Sequence, residues 1–208
     1  MITIIIADGF KKGMKSRGCV GLLPYNKKNN LFEQQRDSIR GVFPRSDIVY
    51  IYGFDAKRFS GFIEDTGETS STQYILNSEY SEYNHGHSLY LAKDRIAQSD
   101  ECLILLGYEP ISTKIIKAAK KTKKSSVLLD TKNQSKLGCV LDNNTKMISH
   151  IFFDLDNHIS DIYLLKKPEI NILIECLEHE KIHNMFLFEI MNNIIARKGK
   201  LEALQTAK

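Results

Sequence analysis

The sequence predicts an α/β protein with three layers, in which helices cover both faces of a mostly parallel sheet that also carries a β-hairpin. Runs of β-branched residues alternate along the chain with segments of helical period, as in βαβ units. The 208 residues are 42% apolar and 26% charged and include only four prolines, a composition typical of a chain that buries a core. We expect a single domain over 1–208, divided into halves at 1–130 and 131–208.

The first half of the chain supplies the predicted parallel sheet and its crossover helices. Strands are predicted at 2–6, 47–52, 73–76, 102–106 and 126–129, and helices at 31–42, 56–63, 88–97 and 112–121. Asn30 and Glu33 form a capping-box pattern at the start of the first helix. Each of the first four strands is followed by a helix long enough to cross over, so the five strands should run parallel.

The second half is predicted to add a hairpin and two helices. The turn Asp142-Asn143-Asn144 separates two apolar runs, LGCV and MISHIFF, which is the pattern of a β-hairpin. The closing helices are predicted at 169–179 and 185–196.

Charge and cysteine content exclude several classes of protein. The net charge is only +4, and the densest lysine run, between Lys117 and Lys124, has no nucleic-acid motif beside it, so we expect no nucleic-acid partner. The four cysteines show no CxxC spacing and are typical of reduced, buried thiols. No apolar run approaches the length of a membrane span, and no signal peptide is recognisable. We therefore expect a cytoplasmic protein.

The stretch that follows the first predicted strand, GFKKGMKSRGCVGLLP, has the composition of an anion-binding loop. Its glycines at 9, 13 and 18 permit positive φ and close backbone approach. Its cations suit phosphate, and they are Lys11, Lys12, Lys15 and Arg17. The spacing fits neither the P-loop nor GxGxxG, so composition alone leaves phosphate binding and a plain surface loop equally open.

An ordered series of segments resembles the sugar-phosphate and choline-phosphate nucleotidyltransferases. Ala7-Asp8-Gly9, Arg17 and Leu22-Leu23-Pro24 follow the first signature of that family. Further resemblances are Leu31-Phe-Glu-Gln-Gln35, the strand that ends in Gly53-Phe54, Asn77-Ser-Glu-Tyr80, the segment from Asn84 to Leu89, and residues 102–107. Together these segments span most of 1–200 in order. The resemblance implies a Rossmann-like sandwich, a general fold that nucleotide-sugar glycosyltransferases also have. It places the nucleotide over the first loop, within the half 1–130.

The resemblance also implies an activity and its site. The activity is the transfer of a nucleotidyl group from a nucleoside triphosphate to a small phosphorylated acceptor, a sugar phosphate or a phosphocholine-like molecule, with Mg²⁺. The implied catalytic residues are Arg17 and Lys15; the nucleotide-binding residues are Ala7, Gly9, Lys11, Lys12 and Gly13; and the substrate-binding residues are Asn84 and Ser88.

Two positions depart from the family. Val20 stands where the resemblance places a lysine that contacts phosphate, and Tyr108 stands where it places an aspartate that binds Mg²⁺. Lysines elsewhere in the loop are possible substitutes for the first. The departures leave open a catalytically degenerate relative that serves as a binding or structural module, with a protein partner or a second copy of the chain.

The carboxylates that remain as metal candidates are Glu109, next to Tyr108, and either Asp154 and Asp156 in the segment FFDLDNH or Glu189 in FLFEIMNN. The pair Asp154 and Asp156 is also a D-x-D, the metal motif of nucleotide-sugar glycosyltransferases. That motif leaves a glycosyltransferase as a further alternative.

Overall fold

The computed structural model describes residues 1–10, 12–67, 72–130 and 135–205. One sheet of nine strands forms its centre. The strands are β1 (Ile2–Ala7), β2 (Asp47–Tyr52), β3 (Thr72–Leu76), β4 (Glu101–Leu106), β5 (Ser126–Leu129), β6 (Leu137–Leu141), β7 (Ile148–Phe153), β8 (Asn157–Lys166) and β9 (Glu202–Leu204).

The strand order along the sheet is β3-β2-β1-β4-β8-β5-β9. The first four strands of that order are parallel, and β5 pairs with β9 in parallel. In contrast, β8 runs antiparallel to both of its neighbours, β4 and β5. The hairpin β6–β7 pairs with the beginning of β8 at the side of this path.

Helices cover both faces of the sheet, so the predicted three layers are confirmed. The helices are α1 (Leu31–Arg40), α2 (Ala56–Thr66), α3 (His85–Leu91), α4 (Lys93–Ala97), α5 (Thr113–Lys121), α6 (Lys167–Leu177) and α7 (Leu187–Ala196). Single turns of 3-10 helix span Lys15–Arg17, Val20–Leu22 and Glu180–Asn184. On one face α1, α2 and α5 pack over one apolar cluster. On the other face α3, α4, α6 and α7 pack over a second cluster. Within the described residues, no helix has both the length and the apolar character to cross a membrane.

The sequence-based elements agree with the structure in the first half of the chain. All five predicted strands are present, and the capping box is confirmed, since the Glu33 amide donates to Asn30 Oδ1 at 2.9 Å and the Asn30 amide to Glu33 Oε2 at 2.8 Å. The predicted helix 88–97 is instead two short helices that meet at Ala92. The predicted hairpin is confirmed as β6–β7.

The strand β8 is the main element that the sequence analysis missed. It lies between β4 and β5, so these two predicted neighbours do not pair with each other. Its run of apolar residues from Ile162 to Leu165 has the character of a buried strand, and all four are buried. Because β8 runs opposite to β4, its first half lies at the edge of the sheet where β1, β2 and β4 end.

Candidate functional site

The predicted anion-binding loop lies at the carboxyl edge of the parallel strands, directly after β1. The side chains of Lys12, Lys15 and Arg17 are exposed there, whereas Lys11 lies outside the described residues. Gly13 and Gly18 have φ of 76° and 88°, values that a side chain would strain. The loop is anchored because Arg58 donates to the Arg17 carbonyl at 3.0 Å. The cations of the loop are thus presented to solvent at the edge where open α/β sheets bind ligands.

Two predicted nucleotide-binding residues lie at the inner end of this loop. Ala7 is the last residue of β1 and is buried, with 2% of its surface exposed. Gly9 follows at once, and a Cβ on Gly9 would lie 2.9 Å from the Tyr108 hydroxyl. A side chain at position 9 would therefore collide with Tyr108, which folds back from the end of β4 over the start of the loop.

Val20, at the position of the expected lysine, is part of the core. It begins the 3-10 turn Val20–Leu22, is fully buried, and belongs to the same apolar cluster as Tyr50 and Phe59. The turn packs so tightly that a Cβ on Gly21 would lie 2.3 Å from the Tyr50 hydroxyl. A charged ammonium at this position would need a different local structure.

Tyr108, at the position of the expected aspartate, is held over the loop in a largely apolar setting. Burial, and secondarily the charge of Asp8, raise the pKa of its phenol well above the ordinary value, while a hydrogen bond from the Gly9 backbone opposes the shift. The phenol is therefore neutral at physiological pH and does not replace a carboxylate as a metal ligand.

A buried polar cluster lies beneath the loop, and the sequence analysis did not anticipate it. Asp8, only 6% exposed, accepts hydrogen bonds from the Ser88 hydroxyl and from the Asn77 amide, the latter at 2.8 Å. Ser88 and Asn77 are fully buried. These bonds join the end of β1 to α3 and to the residue that follows β3, and they satisfy a carboxylate that burial would otherwise penalise. Ser88, a predicted substrate-binding residue, here faces the protein interior.

Asn84, the other predicted substrate-binding residue, connects α3 to the chain before α7. Its amide donates to the Asn184 carbonyl at 2.8 Å, and its backbone N–H donates to the His183 carbonyl at 3.0 Å. Gly86 donates to Met185 in the same way, at 3.0 Å. The beginning of α3 is thus joined by hydrogen bonds to residues 183–185, and one of them uses the side-chain amide of Asn84.

The two histidines of α3 have separate partners. His85 Nδ1 accepts from the Leu187 amide at 3.2 Å, and burial lowers its pKa, an effect that the charge of Asp8 partly opposes. His87 faces His183 with 3.5 Å between the two Nδ1 atoms, and its Nε2 lies 3.1 Å from Glu79. Burial also lowers the pKa of His87, against the charge of Glu79. Both imidazoles are therefore neutral at pH 7.

Asp161 is the site residue that sequence reasoning missed. Leu105 of β4 pairs with Ile162 of β8, so Asp161 lies beside the residue with which β4 ends. Burial alone raises the pKa of its carboxyl from 3.8 to about 6. A carboxyl of this kind favours a cationic neighbour, which would restore its ionised form. The signal in the sequence was a lone aspartate within a β-branched and aromatic run, Ile159 to Tyr163.

Two cavities adjoin Asp161 on opposite faces of the sheet. The larger, of about 420 Å³, lies toward α5 and is lined by Tyr108, Glu109, Ile111, Asp130, Ser160 and Asp161 among others. The smaller, of about 140 Å³, lies toward α3 and α7 and has Asp161 and His85 as its polar lining residues. The carboxylate of Asp161 is therefore within reach of ligands on either side.

The predicted metal candidates are divided among the turn after β4, the turn between β7 and β8, and the first turn of α7, which holds Glu189. Glu109 is exposed in the turn after β4, with its carbonyl bound to Gln35 Nε2 at 2.8 Å. Asp154 and Asp156 lie in the turn between β7 and β8, and Asp156 precedes Asp161 by roughly 16 Å of extended chain. Nowhere in 1–10, 12–67, 72–130 or 135–205 do three or more metal-binding side chains come together. A single carboxylate suits Mg²⁺ only when substrate phosphates supply further ligands.

The chain matches no protein-family model and no curated protein by sequence. Its fold, however, is similar to solved structures. A CTP:phosphocholine cytidylyltransferase from Streptococcus pneumoniae superimposes with a TM-score of 0.71 at 14% identity, covering 100% of this chain and 90% of that one. The inositol-1-phosphate CTP transferase from T. maritima gives 0.75 at 12%, covering 99% and 85%. A nucleoside-diphosphate-sugar pyrophosphorylase from Vibrio cholerae gives 0.68 at 11%, covering 100% and 93%. Over its full length, the chain has the fold of the nucleotidyltransferases.

Proposed function

We propose that this protein binds a nucleoside triphosphate at the carboxyl edge of its sheet and transfers the nucleotidyl group to a small phosphorylated acceptor. The observation that carries the proposal is Asp161, a carboxyl that lies beside the end of β4, adjoins two cavities and has a pKa raised to about 6. Perturbed acidic groups in clefts are typical of functional sites. The fold similarity supports the reaction class, because the similar proteins are named for nucleotidyl transfer.

The nucleotide phosphates would lie along the loop from Gly9 to Gly18. Lys15 and Arg17 extend from its 3-10 turn and are exposed, as Lys12 is, so they would pair with phosphate oxygens. We assign Ala7, Gly9 and Gly13 to the backbone of the same binding loop, and extend that assignment to Lys11 from the sequence alone. The guanidinium of Arg17 would stabilise the charge that develops on the departing group.

In the reaction, an oxygen of the acceptor phosphate forms a bond to the α-phosphorus of the triphosphate. The bond between the α-phosphorus and the bridging oxygen breaks, and its electron pair leaves with pyrophosphate. The protein contributes positioning and cationic charge, which are the main requirements of such a transfer. Mg²⁺, when bound, would neutralise the phosphates, and Asp161 is the described carboxylate that would hold it.

A second candidate function is favoured by a different observation. Val20 is buried in the core and Tyr108 closes over Gly9, so both positions that the family resemblance marks as catalytic are occupied by uncharged groups. These replacements favour a degenerate relative, or pseudoenzyme, that binds a nucleotide without transferring it. The two functions share the nucleotide site and differ in chemistry.

The two functions are separated by two measurements. The melting temperature should rise with at least one of the four nucleoside triphosphates, because a ligand of the folded state stabilises it. Pyrophosphate should then be released when Mg²⁺ and a phosphorylated acceptor are present. Binding without release would establish the degenerate relative, and the absence of any nucleotide-induced shift would refute both functions.

Asp161→Asn tests the residue that carries the proposal. The variant should release pyrophosphate at least about 100-fold more slowly, since removal of one charge-stabilising group commonly has effects of this order. Asp65→Asn, at an exposed position near the end of α2, is the matched control and should keep full activity. Equal rates in the two variants would remove Asp161 from the site.

A further inference from the structure

We infer that His87 and His183 form a binding site for a divalent transition-metal ion such as Zn²⁺, outside the nucleotide site. His87 lies in α3, and His183 lies in the 3-10 turn Glu180–Asn184. Neither imidazole lines the two cavities beside Asp161. The inference therefore goes beyond the proposed function and is tested separately from it.

The separation of the two imidazoles fits a shared metal ion better than it fits a hydrogen bond. Their Nδ1 atoms are 3.5 Å apart. Hydrogen bonds donated by N–H groups in proteins are ordinarily about 2.7–3.2 Å long. Zn²⁺ binds imidazole nitrogen at about 2.0–2.1 Å with tetrahedral angles, so two nitrogens on one ion lie about 3.3–3.4 Å apart. The rings of His87 and His183 meet edge-on, at an interplanar angle of 64°, and a small movement would place both nitrogens on one ion.

Glu79 holds the proton of His87 on the nitrogen that does not face His183. The carboxylate of Glu79 lies 3.1 Å from Nε2 of His87. Because an ionised carboxylate only accepts hydrogen bonds, it keeps the ring proton on Nε2 and leaves the lone pair of the uncharged ring at Nδ1. Glu79 is itself fixed, since its amide donates to Oδ1 of the fully buried Asn77 at 3.0 Å. A carboxylate that orients a metal-binding imidazole in this way is a recurring feature of metal sites.

The backbone holds the two histidines at this separation. The Asn84 N–H donates to the His183 carbonyl, and the Gly86 N–H donates to the Met185 carbonyl, each at 3.0 Å. These bonds join the beginning of α3, which carries His87, to the chain on both sides of His183. The positions of the two ligands are therefore set before an ion binds, which lowers the cost of binding.

Two aromatic rings flank the pair. Tyr83 stacks on His87 with centroids 4.8 Å apart, and the ring of Tyr90 lies 4.6 Å from that of His183. His87 is only 7% exposed, whereas His183 is half-buried and gives an ion access from solvent. Within the described residues no third metal-binding side chain joins the pair, so water completes the coordination.

Calorimetric titration of the intact, metal-free protein with Zn²⁺ tests the inference. Zn²⁺ should bind, Cu²⁺ should bind more tightly, and an excess of Mg²⁺ should not displace either ion, because imidazole suits the first two and Mg²⁺ prefers oxygen ligands. His87→Ala and His183→Gln should each weaken Zn²⁺ at least about 10-fold. His150→Ala, at an exposed position of β7, is the control and should leave the affinity unchanged. Wild-type affinity for Zn²⁺ in both His87→Ala and His183→Gln would overturn the inference.

NMR of the imidazole nitrogens separates metal binding from a structural role. Zn²⁺ should shift the Nδ1 resonances of His87 and His183 and leave those of His150 in place. Shifts at His150 without shifts at the pair would contradict the assignment. If His87→Ala does not fold, His183→Gln decides the result, because the ring that it removes is only half-buried. The rise in melting temperature caused by nucleotide should persist in His183→Gln, so failure of this inference is distinct from failure of the proposed function.

Glu79→Ala tests the positioning role of the carboxylate. Loss of a group that orients a metal-binding imidazole commonly weakens the metal by about 10-fold or more, and we expect about 10-fold for Zn²⁺. The Nε2 proton of His87 should also lose its fixed position in the NMR spectrum of the metal-free variant. Glu82→Ala, at an exposed position of the same turn, is the matched control and should change neither quantity. Equal affinities in the two variants would remove Glu79 from the site.

Discussion

The loop after β1 and the helix α3 were both assigned to ligand binding from the sequence, yet their polar side chains have opposite surroundings in the structure. The loop presents Lys12, Lys15 and Arg17 to solvent. In α3, by contrast, Ser88 is fully buried and donates to Asp8, and Asn84 donates to the Asn184 carbonyl. The cations of the loop are exposed, whereas the Ser88 hydroxyl is buried and paired within the fold and the Asn84 amide already makes one hydrogen bond. Polar residues in a motif therefore indicate function only when their hydrogen-bonding groups remain open.

The largest effect should follow from Gly86→Ala, which tests how tightly α3 is joined to its surroundings. A Cβ at position 86 would lie 1.8 Å from the Ile182 carbonyl oxygen, which belongs to the backbone and has little freedom to move. We expect the free energy of unfolding to fall by more than about 3 kcal/mol, measured by urea titration.

Gly61→Ala is the matched control for that variant. Gly61 lies within α2 with no atom within 4 Å of its Cβ position, so alanine should stabilise the protein by about 0.5–1 kcal/mol. If Gly86→Ala unfolds at the same urea concentration as the wild type, the inference that α3 packs tightly against Ile182 is wrong. If Gly86→Ala does not fold while Gly61→Ala remains stable, the result agrees with that inference.

Ser88→Ala should have the next largest effect and addresses the role of the buried cluster. The substitution removes one of two described donors to a buried carboxylate, and hydrogen bonds to charged groups contribute about 1.5–3 kcal/mol. We expect a loss of about 2–3 kcal/mol in the free energy of unfolding, with the affinity for nucleotide within about twofold of the wild type. Ser81→Ala, at an exposed turn position, should change neither quantity. Lost affinity with unchanged stability would instead support the substrate-binding role predicted from the sequence.

Asp161→Asn should have a comparable effect of opposite sign. Its pKa is about 6 in the folded protein against 3.8 ordinarily, so folding favours the protonated form, and the stability that protonation gives is lost as the pH rises through 6. At pH 7.5 the variant should be more stable by up to about 3 kcal/mol, and below pH 4 the difference should vanish. Urea titrations at several pH values measure this. A difference independent of pH would mean that the carboxyl titrates normally.

The parts of the fold that the sequence could predict are those marked by local sequence patterns. Alternating strands and helices, the capping box at Asn30 and the hairpin turn at Asp142 are local patterns, and the structure has all of them. The strand β8 was missed because its place between β4 and β5 is decided by pairing with residues far away in the chain.

The candidate site was predicted unevenly for the same reason. The exposed cations of the loop follow from composition beside a strand, so they were predicted. Asp161 was not, because a single aspartate in the run Ile159 to Tyr163 does not by itself distinguish a site residue from a surface one. What distinguishes it is its burial beside the end of β4, which only the folded sheet creates. The buried cluster around Asp8 likewise joins residues that are 69 and 80 positions apart.

The smallest effect on stability should come from the loop cations, and it completes the contrast with α3. Lys15→Ala and Arg17→Ala alter exposed side chains outside the core, so the free energy of unfolding should change by less than about 0.5 kcal/mol. Nucleotide affinity should nevertheless fall about 10-fold for each, and the loss should shrink at high ionic strength, because charge-assisted contacts are screened by salt. Lys121→Ala, at the exposed end of α5, is the control and should leave affinity unchanged. If Lys121→Ala weakens nucleotide binding as much as Arg17→Ala does, the attraction comes from the net charge of the protein. The loop would then not be the phosphate-binding site.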